Sequence, residues 1–110
     1  MAKSVESEKQ ALDQAKYMVS FISLLSENTD GYAQAAEEMA NAVQSQPGFI
    51  AAYSARNKDG VGMTNSYWTS LQAISAWKAD PAHQKIQTQG KKVWYEWFQL
   101  QVSEIIRSYD

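Results

Sequence analysis

The sequence has no cysteine in its 110 residues. That absence removes disulfides, thiolate nucleophiles, iron–sulfur clusters and cysteine-held zinc from the chemistry open to the chain, and it accords with a reducing compartment. There is a single histidine, His83, too few for a histidine metal cluster. No excess of one charge is present: the net charge is -2, with acidic and basic residues interspersed. A balance of that kind leaves no footprint for nucleic acid or an anionic membrane. Long apolar runs are missing too. The longest, around Tyr17–Leu25, is interrupted by Ser20 and Ser23 and is far too short to span a bilayer. The stretch Met1–Gln14 is polar and carries no apolar core of a signal peptide. The expectation is a soluble, cytoplasmic domain with neither nucleic acid nor membrane as partner. At this length one hydrophobic core closes without staples, burying about two-thirds of the unfolded surface.

Aromatic residues are what the sequence does have. Four Trp and six Tyr occur, and every Trp lies between Tyr67 and Tyr109. Rings at that density fill a core, or they line a pocket or interface where apolar area and a hydrogen-bonding handle are both used.

Periodicity supplies the elements. Residues 1–14 form a polar extension. Within it, Ser7-Glu8-Lys9-Gln10 reads either as a capping box for a short helix through Leu12 or as a frayed leader. The domain proper covers 15–110. Lys16–Leu25 alternates as a strand with Tyr17, Val19, Phe21 and Ser23 on one face and Met18, Ser20, Ile22 and Leu24 on the other. Both faces are mostly apolar, so both need cover. Tyr32, Ala35, Ala36, Met39 and Val43 make a helical stripe, capped by Thr29 or Asp30 and stopped by Pro47-Gly48. Phe49–Arg56 and Val61–Trp68 are strands joined by Asn57-Lys58-Asp59-Gly60, a hairpin turn. Thr69-Ser70-Leu71-Gln72 opens a second helix bearing Leu71, Ile74 and Trp77. Asp80-Pro81 restarts it as far as Gly90. Val93–Tyr109 reads as one long last strand.

Strand, helix, hairpin, helix, strand is the β-α-β-β-α-β order of an α+β, ferredoxin-like sandwich. Its helices cover one sheet face. The other still carries Trp97, Ile105 and Tyr109, and an apolar face of that size implies an interface. A homodimer closed sheet to sheet across a two-fold axis is the expectation.

Pro47-Gly48-Phe49, Ser66-Tyr67-Trp68, the run from Leu71 to Trp77 with Lys78, His83, and Trp94-Tyr95 resemble, in order and spacing, the antibiotic-biosynthesis monooxygenase (ABM) domain family. The resemblance covers about 16–109. It implies a dimeric α+β barrel. It also implies one of several activities: oxidation of aromatic polyketides by O2 without a cofactor, haem degradation, or no assigned reaction. In the haem-degrading branch the resemblance implies a Trp at Trp77, a histidine ligand about ten residues on and an Asn in the first strand. Gln87 stands at the histidine spacing, and the first strand offers Ser20 and Ser23. Haem degradation is therefore the least favoured of the readings.

Six residues are candidates for the site. His83 is the natural proton acceptor, its side chain having a pKa near neutrality; the plainer alternative is a helix cap. Asn65 and Tyr67 share one face of their strand and offer polar ends to a phenolate or peroxide oxygen, or they merely pack. Trp68, on the opposite face, and Trp77 are pocket walls or plain core. Arg56 neutralises an anionic substrate or is solvated at its strand end. The reading is a monooxygenase without metal, flavin or other cofactor, acting on a small phenolic or quinone-like aromatic. The alternative is a non-catalytic, ligand-binding or stress-related dimeric barrel.

Overall fold

The computed structural model describes residues 5–109. The elements run α1 (Val5–Leu12), β1 (Tyr17–Leu25), α2 (Tyr32–Val43), β2 (Phe49–Arg56), β3 (Val61–Trp68), α3 (Leu71–Ala79), α4 (Pro81–Gln89) and β4 (Tyr95–Glu104), with a π-helical turn, Gly90–Trp94, between α4 and β4. The sheet order is β2-β3-β1-β4, and every neighbouring pair is antiparallel. From β1 onward this is the ferredoxin-like order expected from the sequence. Right-handed crossovers from β1 to β2 and from β3 to β4 put both helical connections on one sheet face.

Register assigns the faces, because residues directly opposite one another point the same way. On the helix side stand Tyr17, Val19, Phe21 and Ser23 of β1, paired with Trp68, Ser66, Thr64 and Gly62 of β3. Arg56 lies opposite Gly62, Ser54 opposite Thr64, and Leu100 and Val102 opposite Phe21 and Val19. The reverse side carries Ser20, Asn65 and Tyr53 in one row, with Tyr67, Met63 and Trp97 nearby.

Several local expectations shift. Gly31, in the left-handed region at φ 80°, precedes α2 and no side chain caps it. Thr29 and Asp30 fall before the cap position, which Gly31 occupies, and Asn28 Oδ1 takes the Asp30 N–H in a local turn, at 3.2 Å. The cap of α3 is Ser70, whose Oγ accepts from the Ala73 N–H at 3.1 Å, one residue later than the expected box. The α-helix ends at Gln89 with Gly90 as its C-cap, as expected, but a π-helical turn follows at once, and the last strand begins at Tyr95 rather than Val93. The cause is Trp94, which is buried. Its Nε1 donates to the Asp30 carbonyl at 2.8 Å, while the Val93 and Trp94 carbonyls accept from Ser26. That wedge holds residues 90–94 in a widened turn. The N-terminal segment is helical over Val5–Leu12 and packs on β2 beside Tyr53 and Tyr67.

Arg56 ties three strands to α2. Its Nη1 donates to the carbonyls of Ser23 (3.1 Å) and Gly60 (2.6 Å), and its Nη2 donates to Ser23 Oγ and to the Tyr32 hydroxyl, each at 3.2 Å. The guanidinium reaches β1 by lying across Gly62 of the strand between, where a Cβ would collide with it.

Gly62→Ala and Arg56→Ala should therefore disrupt the same bonds. Each should cost about 1 kcal/mol, since hydrogen bonds from a charged donor are worth somewhat more but these are partly exposed. In urea unfolding the double variant should lose little more than either single one. Additive losses would show the two positions to be independent.

Candidate functional site

The junction of α3 and α4 is built on Asp80. Its backbone N–H closes α3 on the Trp77 carbonyl at 3.1 Å, and its Oδ1 accepts from the His83 N–H at 3.0 Å to cap α4. Pro81 fills the first helical position, where its missing N–H is no loss. The His83 ring stacks on the Trp77 indole, with centroids 4.2 Å apart and planes 14° from parallel. His83 Nδ1 lies 3.0 Å from the Trp77 carbonyl. A carbonyl only accepts, so Nδ1 carries the hydrogen and Nε2 keeps its lone pair. Burial pushes the imidazole pKa below the ordinary histidine value; the Trp77 bond and the Asp80 charge oppose that and are outweighed. The ring is neutral at pH 7, as a general base must be.

Small polar side chains line the helix-side face of the sheet. Trp68, 1% exposed, meets the Phe49 ring edge-on at 5.3 Å and donates its Nε1 hydrogen to Ser66 Oγ at 2.9 Å. Ser54 Oγ and Thr64 Oγ1 are bonded at 2.7 Å. Beyond them Phe21, Phe98, Tyr95, Tyr32 and Trp94 form a connected set of rings with centroids 5.3–6.0 Å apart. Burial, chiefly, and then Tyr32 raise the Tyr95 hydroxyl pKa far above the usual phenol range. That phenol therefore stays protonated.

On the reverse face Asn65 Oδ1 is buried and has no hydrogen-bond partner among the described residues. Ser20, itself buried, lies directly opposite it. Tyr67 pairs edge-on with Tyr53 at 6.2 Å.

The six residues singled out in the sequence thus fall into three groups. Trp77 and His83 are in contact. Trp68 and Arg56 share the helix-side face, but Arg56 is opposite Gly62, six residues and roughly 20 Å along β3 from Trp68. Asn65 and Tyr67 face the other way. Among the described residues are open cavities of about 270 Å³ and 320 Å³. Thr69, Ser70, Leu71 and Glu104 border the first, and Leu12, Tyr67, Ile105 and Tyr109 the second. Of the six only Tyr67 lines either one. Among the described residues no three His, Asp or Glu side chains group as a metal site, and no helix is long and apolar enough to cross a membrane. The hydroxyls of Ser54, Thr64 and Ser66 escaped the sequence reading. Counting back by twos from Trp68 reaches Ser66 and Thr64 and would have flagged the face.

Residues 17–89 match the family described as antibiotic biosynthesis monooxygenase. An uncharacterized Bacillus subtilis protein, YqjZ, is 42% identical over 91 residues, covering 83% of this chain and 80% of that protein. Among solved structures, a variant of SnoaB, a cofactor-independent oxygenase from Streptomyces nogalater, superposes with a TM-score of 0.73 at 14% identity, covering 86% of this chain and 96% of that one. A Mycobacterium tuberculosis protein superposes with a TM-score of 0.76 at 9% identity, covering 87% and 100%. At such low identity the two structures speak for the fold.

The lowered His83 pKa has a consequence for stability. Above about pH 6.5 the ring is neutral whether the chain is folded or not, and it contributes no pH dependence. As pH falls through that value the unfolded chain takes a proton that the folded chain resists, so stability drops until the folded pKa is passed. Urea midpoints measured between about pH 7 and 5 should fall for the wild type and fall less for His83→Gln. Equal slopes would show that burial does not depress this imidazole.

Proposed function

As the chain belongs to the antibiotic biosynthesis monooxygenase family, we propose that it is a monooxygenase using O2 without metal or flavin. Its substrate is a small phenolic or quinone-like aromatic. The observation that carries this reading is the His83 imidazole, neutral and tethered through Nδ1 so that Nε2 is the accepting nitrogen. In this mechanism Nε2 takes the phenolic proton. The electron-rich phenolate reduces O2, one oxygen atom becomes a ring carbonyl, and the other leaves as water. A phenol becomes a quinone in that exchange, and the electrons balance without an outside reductant. Fold similarity to a cofactor-independent oxygenase supports the reading. Because Asn65 and Tyr67 lie on the reverse face, the hydroxyls of Ser54, Thr64 and Ser66 are the better placed to steady oxygen beside a helix-side substrate. Trp77 and Trp68 are its apolar walls.

The working unit in this proposal is a homodimer. Tyr53, Met63 and Trp97 on the reverse face are 43%, 46% and 47% exposed. A second copy packed on that face covers them, and the buried Asn65 Oδ1 lies within the same face.

One observation favours the alternative, a ligand-binding dimer without catalysis: His83 borders neither cavity. Oxygen uptake separates the two. With a panel of hydroquinones and polycyclic phenols, the wild type should consume O2, and His83→Ala should lose about 10²–10⁴ in rate, the usual worth of a general base. Binding followed by Trp fluorescence should stay within about tenfold in that variant, since the base is not a binding group. Uptake at the wild-type rate by His83→Ala would remove the imidazole from the mechanism and leave the binding reading.

A further inference from the structure

We propose that Asp80 is the positioning residue for His83, fixing which ring nitrogen accepts a proton; this rests on the reading of His83 as the base. The inference comes from the way α3 ends. An unbroken helix through residue 81 would give the Trp77 carbonyl to the N–H of that residue, four positions on. Residue 81 is proline and has no N–H to give. Asp80 leaves the helix at φ -60°, ψ 125°, and the Trp77 carbonyl is left with the Asp80 N–H and room for a second donor. That second donor is His83 Nδ1, at 3.0 Å.

Two further contacts bring the ring to that carbonyl. Asp80 Oδ1 holds the His83 backbone N–H at 3.0 Å, which sets the first turn of α4. The Trp77 indole lies flat against the imidazole. Pro81 therefore frees the acceptor, and the Asp80 side chain anchors the backbone of the residue that uses it. The hydrogen bond made by one ring nitrogen decides the state of the other. The break thus commits His83 to the tautomer with hydrogen on Nδ1 and an open lone pair on Nε2. Asp80 touches no substrate in this account.

Nitrogen-15 NMR of histidine-labelled protein at pH 8 reads the tautomer directly, and His83 gives the only histidine signal. The wild type should show a protonated Nδ1 and a bare Nε2. Asp80→Asn keeps a capping oxygen and should keep that pattern. Asp80→Ala loses the cap and should shift the population toward hydrogen on Nε2, with a matching fall in any oxygen uptake. A thermal melt run alongside establishes that the alanine variant is folded. Hydrogen on Nε2 in the wild type overturns the proposal whether or not any variant folds. An unchanged tautomer in folded Asp80→Ala overturns it too. If the tautomers behave as expected and the wild type consumes no O2 with any substrate, the positioning stands and the oxygenase reading falls.

Discussion

A four-stranded sheet has two faces, and this chain has helices enough for one. Every other feature of the molecule answers to that constraint. The buried apolar side chains are few among the described residues: Ala35, Val43, Trp68 and Trp94. They sit where α2, the π-helical turn and the end of β3 meet the sheet. Away from them burial is partial. The edge strand β4 is exposed along most of its length, with Trp97 showing on one face and Leu100 and Val102 on the other. The small helix α1 lies beside Tyr53 and Tyr67 and leaves Met63 and Trp97 open. Exposed apolar area of this extent is costly in water. We take a second copy of the chain to be what covers the part of it on the reverse face, Met63 and Trp97 included.

The helix side obeys a different economy. Its strand positions are held by the small residues Ser23, Ser54, Gly62, Thr64 and Ser66. Their hydroxyls satisfy one another or a neighbouring donor, so the face is polar, with the Arg56 guanidinium as a charge at one end. Rings gather at both ends of it, Trp68 with Phe49 at one and the Tyr32–Tyr95 group at the other. Above it the helical layer is interrupted twice, at Asp80 and at the turn ending in Trp94. Helix interruptions and π-helical turns of this kind recur where side chains must be aimed rather than merely buried. The aimed side chain here is His83. Its ring owes its orientation to a carbonyl that an unbroken helix would have used.

Much of this was legible in the sequence, and the parts that were not share a cause. Alternation and turn chemistry specify β1, the β2–β3 hairpin and the helix restart at Asp80-Pro81, because each depends on neighbours within a few residues. The partition of Asn65 and Tyr67 from Trp68 follows from period two alone. The π-helical turn after α4 did not follow, since nothing near Gly90 shows that Trp94 reaches the Asp30 carbonyl across 64 positions of sequence. Nor could the bonds of Arg56 be read. The residue is exposed at its strand end, and only the register that brings Gly62 and Ser23 alongside shows why it is tied down. The stack of His83 on Trp77 is a local contact, yet its meaning lies in which nitrogen meets the carbonyl, and residue spacing does not encode that.

The claim on which the whole account depends is that the uncovered sheet face belongs to a second copy. Light scattering behind a sizing column, at a few micromolar protein, measures it directly. The account predicts a mass twice the 12.4 kDa of the chain, and a drop toward that single-chain value on replacing Trp97 and Met63 with charged residues. A wild-type mass of 12.4 kDa under those conditions would contradict it.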